Sequence, residues 1–104
     1  MTFWNLGTLE LEEFRPGILS KAEIGENLIM VCMKIEAEKE DTGHKHNHDQ
    51  CGVVLAGKIE MYIDKERRIL NPNESYFIPS GMQHGWKTFD QSVTLLDISL
   101  REPV

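Results

Sequence analysis

Three of the four histidines in this 104-residue chain stand at alternate positions, His44, His46 and His48, with Gln50 next in the same spacing. In an extended strand, side chains two apart share a face, so all four could project to one side. Imidazole nitrogen is the commonest protein ligand for a divalent transition metal, and an amide oxygen can complete such a set. The fourth histidine, His84, closes a second short motif, Pro79-Ser80-Gly81-Met82-Gln83-His84. These residue types in this pattern point to a metal site on a β scaffold.

The choice of Gln at position 50 has an electrostatic consequence. A glutamate would bring a negative charge to the ion, whereas the amide leaves a three-histidine site with the ion's full charge. A more electropositive ion is a stronger Lewis acid and favours an anionic or polyhydroxyl ligand. Three imidazoles and one amide leave one or two positions open on a six-coordinate ion, the mark of a catalytic rather than a structural site. One divalent ion per chain is expected. Nickel, iron, manganese and zinc all suit it, because affinity order alone does not choose among them.

The elements that must position these residues read as strands and turns. Ile18 to Ile24 is a short strand, and Leu28 to Ala37 is the clearest one, with Ile29, Val31, Met33 and Ile35 on a single apolar face. Glu38 to Gly43 reads as a polar loop delivering the chain to the histidines. Cys51 to Ala56, Ile59 to Ile63, Arg68 to Leu70, Ser75 to Ile78, Gly85 to Thr88 and Ser92 to Leu100 follow as strands. Asp64 to Arg67 reads as a hairpin connection, and Asn73 suits a left-handed turn position. No segment carries a helical period. Short strands between closely spaced turns indicate an antiparallel sandwich or barrel.

Length and charge narrow the function. The chain is expected to be one domain over 1–104, with 1–27 an N-terminal arm and first strands and 28–100 the barrel. A net charge of -6 argues against nucleic acid or an anionic membrane as partner. No apolar run is long enough to span a membrane, and no secretory signal is visible. Cys32 and Cys51 lack metal or redox spacing and read as buried small hydrophobes, so a cytoplasmic location is expected. Phe3, Trp4 and Leu6 have no place in a minimal barrel, which suggests a homodimer with sheet edges or this arm packed across a two-fold axis.

The two motifs together resemble the cupin superfamily. His44-x-His46, Gln50 and Gly57 look like its first signature, and Pro79-x-Gly81-x-x-His84 looks like its second. The resemblance implies an all-β jelly-roll barrel, a double-stranded β-helix, with His44, His46, Gln50 and His84 converging on one metal. The Gln at position 50, the extra His48, the opening Trp4-Asn5-Leu6-Gly7 and the closing Leu96-Asp97 are similar to a narrower group. Those are the small cupins that ketonise unsaturated uronates released from pectin or alginate. In that group an acid on the last strand lies near the metal, which Asp97 matches, and an arginine follows. Here Pro103 stands in the arginine's place and Arg101 lies two residues earlier.

Asp97 also shares strand parity with Val93 and Leu95, so an inward face would make it a partly desolvated acid suited to proton transfer. Its plainer role is a partner for Lys or Arg. His48 reads as a ligand, a pocket wall, or a histidine at the mouth that bonds a neighbour. Trp86 reads as a sugar-stacking ring or a buried plug. Gly52, between Gln50 and Val54, would leave room for a ligand. A metal-dependent isomerase acting on a small sugar acid leads the functional readings. A cupin dioxygenase or other redox enzyme comes second, and a non-enzymatic small-molecule-binding barrel third.

Overall fold

Alternation of apolar and polar side chains decides which face of each strand turns inward, and it does so across two sheets. A computed structural model describes residues 1–101. It contains β1 (Glu12–Arg15), β2 (Ile18–Ile24), β3 (Leu28–Ile35), β4 (Glu40–His44) and β5 (Gln50–Ala56). These are followed by β6 (Ile59–Ile63), β7 (Glu66–Leu70), β8 (Ser75–Ile78), β9 (His84–Thr88) and β10 (Val93–Leu100). A six-stranded sheet runs β1-β2-β3-β10-β5-β8 and a four-stranded sheet runs β4-β9-β6-β7. Every pairing is antiparallel. From β3 onward the chain passes repeatedly from one sheet to the other, which is the jelly-roll path.

The core lies between the sheets. Ile35, Val54 and Val93 of one and Ile59 of the other are at most 1% exposed. Burying an aliphatic side chain of this size contributes about 1.5–3 kcal/mol, so these contacts hold the two layers together. Turn chemistry agrees with the path. Asn73 adopts φ 72 and donates its N–H to the Val54 carbonyl at 2.8 Å. The β6–β7 hairpin is tighter than expected, with Ile63 already opposite Glu66 and Asp64 left-handed at φ 54.

Two segments differ from the expectation in a way that bears on the site. The loop expected over Glu38 to Gly43 is in large part a strand, β4, at the edge of the four-stranded sheet. Its charges obscured it, yet an edge strand tolerates charge because only one side of its ladder must pair. The four alternate residues do not lie on one strand either. His44 ends β4, Gln50 begins β5, and His46 and His48 occupy the crossover between the two sheets. At the N-terminus only β1 is a strand, while Trp4, Leu6, Leu9 and Leu11 are half-buried and Phe3 is 89% exposed. The Thr2 hydroxyl donates to the Glu23 carboxylate of β2, which ties the arm to the six-stranded sheet.

Candidate metal centre

Each histidine reaches the interior by a different device. On β9, His84 and Trp86 point inward. Opposite them on β4, Asp41 pairs with Trp86 and His44 with His84. Three steps along β4 thus match two along β9, a one-residue bulge. Without it, Asp41 and His44 would fall on opposite faces; with it, both turn to the cavity. Gly43 takes φ +136 within the bulge. A Cβ there would lie 1.8 Å from the Tyr62 hydroxyl oxygen, and one on Gly85 would lie 2.4 Å from the Tyr62 ring. Tyr62 fills the space these glycines leave and donates to the Thr42 carbonyl, pinning the bulge.

The crossover carrying His46 is held by the second motif. Gly81 N–H donates to the His46 carbonyl at 2.7 Å, and Ser80 N–H donates to Asp49 Oδ1 at 2.9 Å. His44, His46 and His84 come together, one nitrogen from each lying within 4.8 Å of the others. The His44 ring centroid is 4.3 Å from that of His84 and 4.7 Å from that of His46. His84 is 4% exposed, and its Nδ1–H donates to the Met82 carbonyl at 3.0 Å, which turns Nε2 inward. His44 Nδ1 sits 3.2 Å from Asp41 Oδ2, which likewise frees Nε2 for the interior. A ring nitrogen committed to a carboxylate or carbonyl is the usual way a ligating histidine is oriented.

Gln50 approaches from the other sheet. Its Nε2 donates to Asp97 Oδ2 at 2.8 Å, while its Oε1 is buried with no hydrogen-bond partner. Among the described residues, His84 Nε2 is the other buried side-chain atom in that state. Buried lone pairs are rarely left unmatched, and two of them converging on a histidine cluster fit a cation. The donor set of imidazoles and an amide oxygen therefore suits a divalent transition metal.

The remaining candidates fall out separately. His48 lies outside the trio and stacks on the His46 ring at 4.9 Å with an interplanar angle of 7°. Its Nδ1 is 3.2 Å from the Asp49 carbonyl. Trp86 is half-buried and lines the cavity beside His44 and His84. Gly52 does not leave room for a ligand. A Cβ there would lie 2.3 Å from the Tyr76 hydroxyl oxygen, so the space belongs to Tyr76. Arg101 does not line the cavity and donates instead to the Gly25 carbonyl at 3.1 Å. Pro103 lies outside the described residues.

The cavity has a volume of about 190 Å³, room for about six waters. Val31, Met33 and Met61 form its apolar wall, and Asp97 and Tyr76 join the ligand set on its polar side. Phe14 and Arg15, both exposed on β1, reach it from outside. The sequence did not single out Tyr76 or Arg15. Tyr76 alternates with Phe77 and Ile78 in an ordinary apolar strand, and Arg15 opens a turn; neither pattern signals a site.

Residues 31–99 match the model of the cupin domain. The chain is a cupin. Over 88 residues, 83% of this cupin and 80% of the relative, it is 34% identical to the pectin degradation protein KdgF of Dickeya dadantii (strain 3937). The structure of KdgF from Halomonas sp. superposes with a TM-score of 0.86 at 26% identity, covering 99% of this cupin and 96% of that chain. An RmlC-like cupin from Shewanella frigidimarina NCIMB 400 shares the fold, with a TM-score of 0.83 at 21% identity over 98% and 92% of the two chains.

Burial, and then the neighbouring Asp97 carboxylate, push the Tyr76 hydroxyl far above its ordinary value near 10. The folded state therefore keeps this proton where the unfolded chain loses it. The stabilisation is intact below about pH 10 and declines above it, by up to about 1.4 kcal/mol per pH unit. Urea unfolding at about pH 9 and about pH 11 should show wild type losing more stability than Tyr76→Phe. Parallel losses would mean the hydroxyl is not buried against the carboxylate.

Proposed function

We propose that this cupin is a metal-dependent isomerase that ketonises a small unsaturated uronate. The observation that carries the reading is the cavity that His44, His84, Gln50 and Asp97 line together, with His46 gathered against the two histidines behind it. Identity of 34% to a protein named for pectin degradation supports the substrate class. A largely apolar cavity with His44, His84, Gln50 and Asp97 set into its wall also fits catalysis better than a closed storage barrel.

His44, His46, Gln50 and His84 would hold one divalent ion. When bound, it supplies positive charge beside a substrate oxygen that becomes enolate-like. The sugar ring first opens at its hemiacetal, breaking the other C–O bond of the ring oxygen and passing it the anomeric hydroxyl proton. The enol so formed loses that proton, the adjacent carbon gains one, and C=C–OH becomes HC–C=O with no other reactant. Asp97, partly buried at the cavity wall, is placed to accept and return that proton. Arg15 is a cation at the outer side of the cavity and offers a partner for the substrate carboxylate. Trp86 gives the ring a flat apolar surface. The volume suits a single sugar ring rather than a polymer.

The test follows unsaturated galacturonate or guluronate by NMR with metal-loaded protein. Loss well above the spontaneous rate is expected. If every such substrate decays at its spontaneous rate, the isomerase reading fails.

The proposal extends to a homodimer. On the six-stranded sheet the face away from the core aligns Leu28 with Leu100, Met30 with Ile98 and Cys51 with Phe77. Leu28 is 53%, Leu100 44% and Phe77 59% exposed, so an apolar strip faces solvent across β3, β10, β5 and β8. A second copy of this chain would cover it. Light scattering at micromolar concentration should give twice the chain mass, and a monomer would contradict the assembly.

A further inference from the structure

We propose that Asp97 and Tyr76 are positioning residues that fix which end of the Gln50 amide faces the metal. This rests on the metal centre proposed above but not on its substrate. The two ends of a glutamine amide have nearly the same shape and opposite chemistry. The oxygen has lone pairs for a cation; the NH₂ group has none to give. A glutamine free to turn would present the wrong end part of the time.

Here the choice is made by Asp97. Gln50 Nε2 donates to Asp97 Oδ2 at 2.8 Å, and this leaves Oε1 buried without a partner on a residue that lines the same cavity as His44 and His84. Turning the amide over would set Oε1 against a carboxylate oxygen, two acceptors in contact. The carboxylate itself is held. Tyr76, only 8% exposed, donates its hydroxyl to the same Oδ2. That hydroxyl reaches Asp97 because Gly52, directly opposite Asp97 on β5, has no side chain. A Cβ at Gly52 would lie 2.3 Å from the Tyr76 hydroxyl oxygen and 2.6 Å from the Leu96 carbonyl oxygen, and the latter is backbone that cannot yield. Gly52, Tyr76, Asp97 and Gln50 thus form one chain of dependence across β5, β8 and β10 that ends at the ion.

This arrangement separates two roles of Asp97 that are otherwise entangled. Positioning needs only an acceptor oxygen at the Oδ2 place. Asparagine supplies one, and the Tyr76 hydroxyl, as a donor, selects the oxygen end of that new amide. Proton transfer needs the carboxylate itself.

The experiment measures Zn²⁺ affinity by competition calorimetry and the visible spectrum of bound Co²⁺, neither of which involves turnover. Circular dichroism confirms that each variant is folded. Asp97→Asn should bind Zn²⁺ within about threefold of wild type. Asp97→Ala should bind 10–100-fold more weakly, the usual effect of removing a residue that orients a ligand. Its Co²⁺ spectrum should match that of Gln50→Ala, because in both the amide oxygen has left the ion. Tyr76→Phe, which preserves ring and burial, should weaken Zn²⁺ about tenfold and so carries the test should Asp97→Ala not fold. Unchanged affinity in Asp97→Ala and Tyr76→Phe overturns the proposal. So does equal weakening in Asp97→Asn and Asp97→Ala, which would make charge rather than orientation the cause. The isomerase reading stands or falls separately, in the uronate assay.

Discussion

Replacing His84 with alanine should abolish binding of a divalent ion and, with it, the proposed turnover on unsaturated uronate. Of the three histidines, His84 is the most completely fixed. It is 4% exposed, its Nδ1 is committed to the Met82 carbonyl, and its Nε2 has no protein partner. Alanine deletes that lone pair from the cluster. The loss of affinity should exceed the 10–100-fold typical of a residue that merely supports a ligand. Elemental analysis after dialysis checks it, alongside a thermal melt to show that the barrel persists. Undiminished metal in a folded variant would mean that the four-residue assignment is wrong.

Asp97→Asn should lower turnover by about 10²–10⁴, the usual worth of general acid–base catalysis, while the protein keeps its fold and its metal. The substitution keeps shape and one acceptor oxygen and removes the group that can take and return a proton. The measurement is the rate of uronate ketonisation by NMR under saturating metal, compared with wild type. If the rate is unchanged, Asp97 acts only on Gln50, and some other group moves the proton.

How far these expectations were legible in the sequence differs from residue to residue. The strand of Ile59 to Ile63 announces itself by alternation with Glu60 and Tyr62, and that of Ile29 to Ile35 by its unbroken apolar face. The all-β barrel and the members of the histidine cluster were visible too, since residue type and spacing carry both. The means of convergence was not. Alternate spacing suggested one strand face, yet His44 and Gln50 belong to different sheets and are joined by a crossover. A bulge in β4 was equally hidden, because a single extra residue shows only in register against its partner strand. Gly52 carried a readable signal, a missing side chain on the inward face, but not its cause. Which neighbour fills the gap depends on β8, distant in sequence, and that neighbour is Tyr76.

The placement of the ligands on both layers has a mechanical meaning. His44 and His84 sit on adjacent strands of the four-stranded sheet, Gln50 begins a strand of the six-stranded one, and His46 bridges them. An ion held by all four would be a clasp between the two layers. Metal supply and fold are then thermodynamically coupled, since a ligand bound only by the folded state adds about 2.7 kcal/mol at a concentration one hundred times its dissociation constant. Metal starvation would then loosen the barrel at that end.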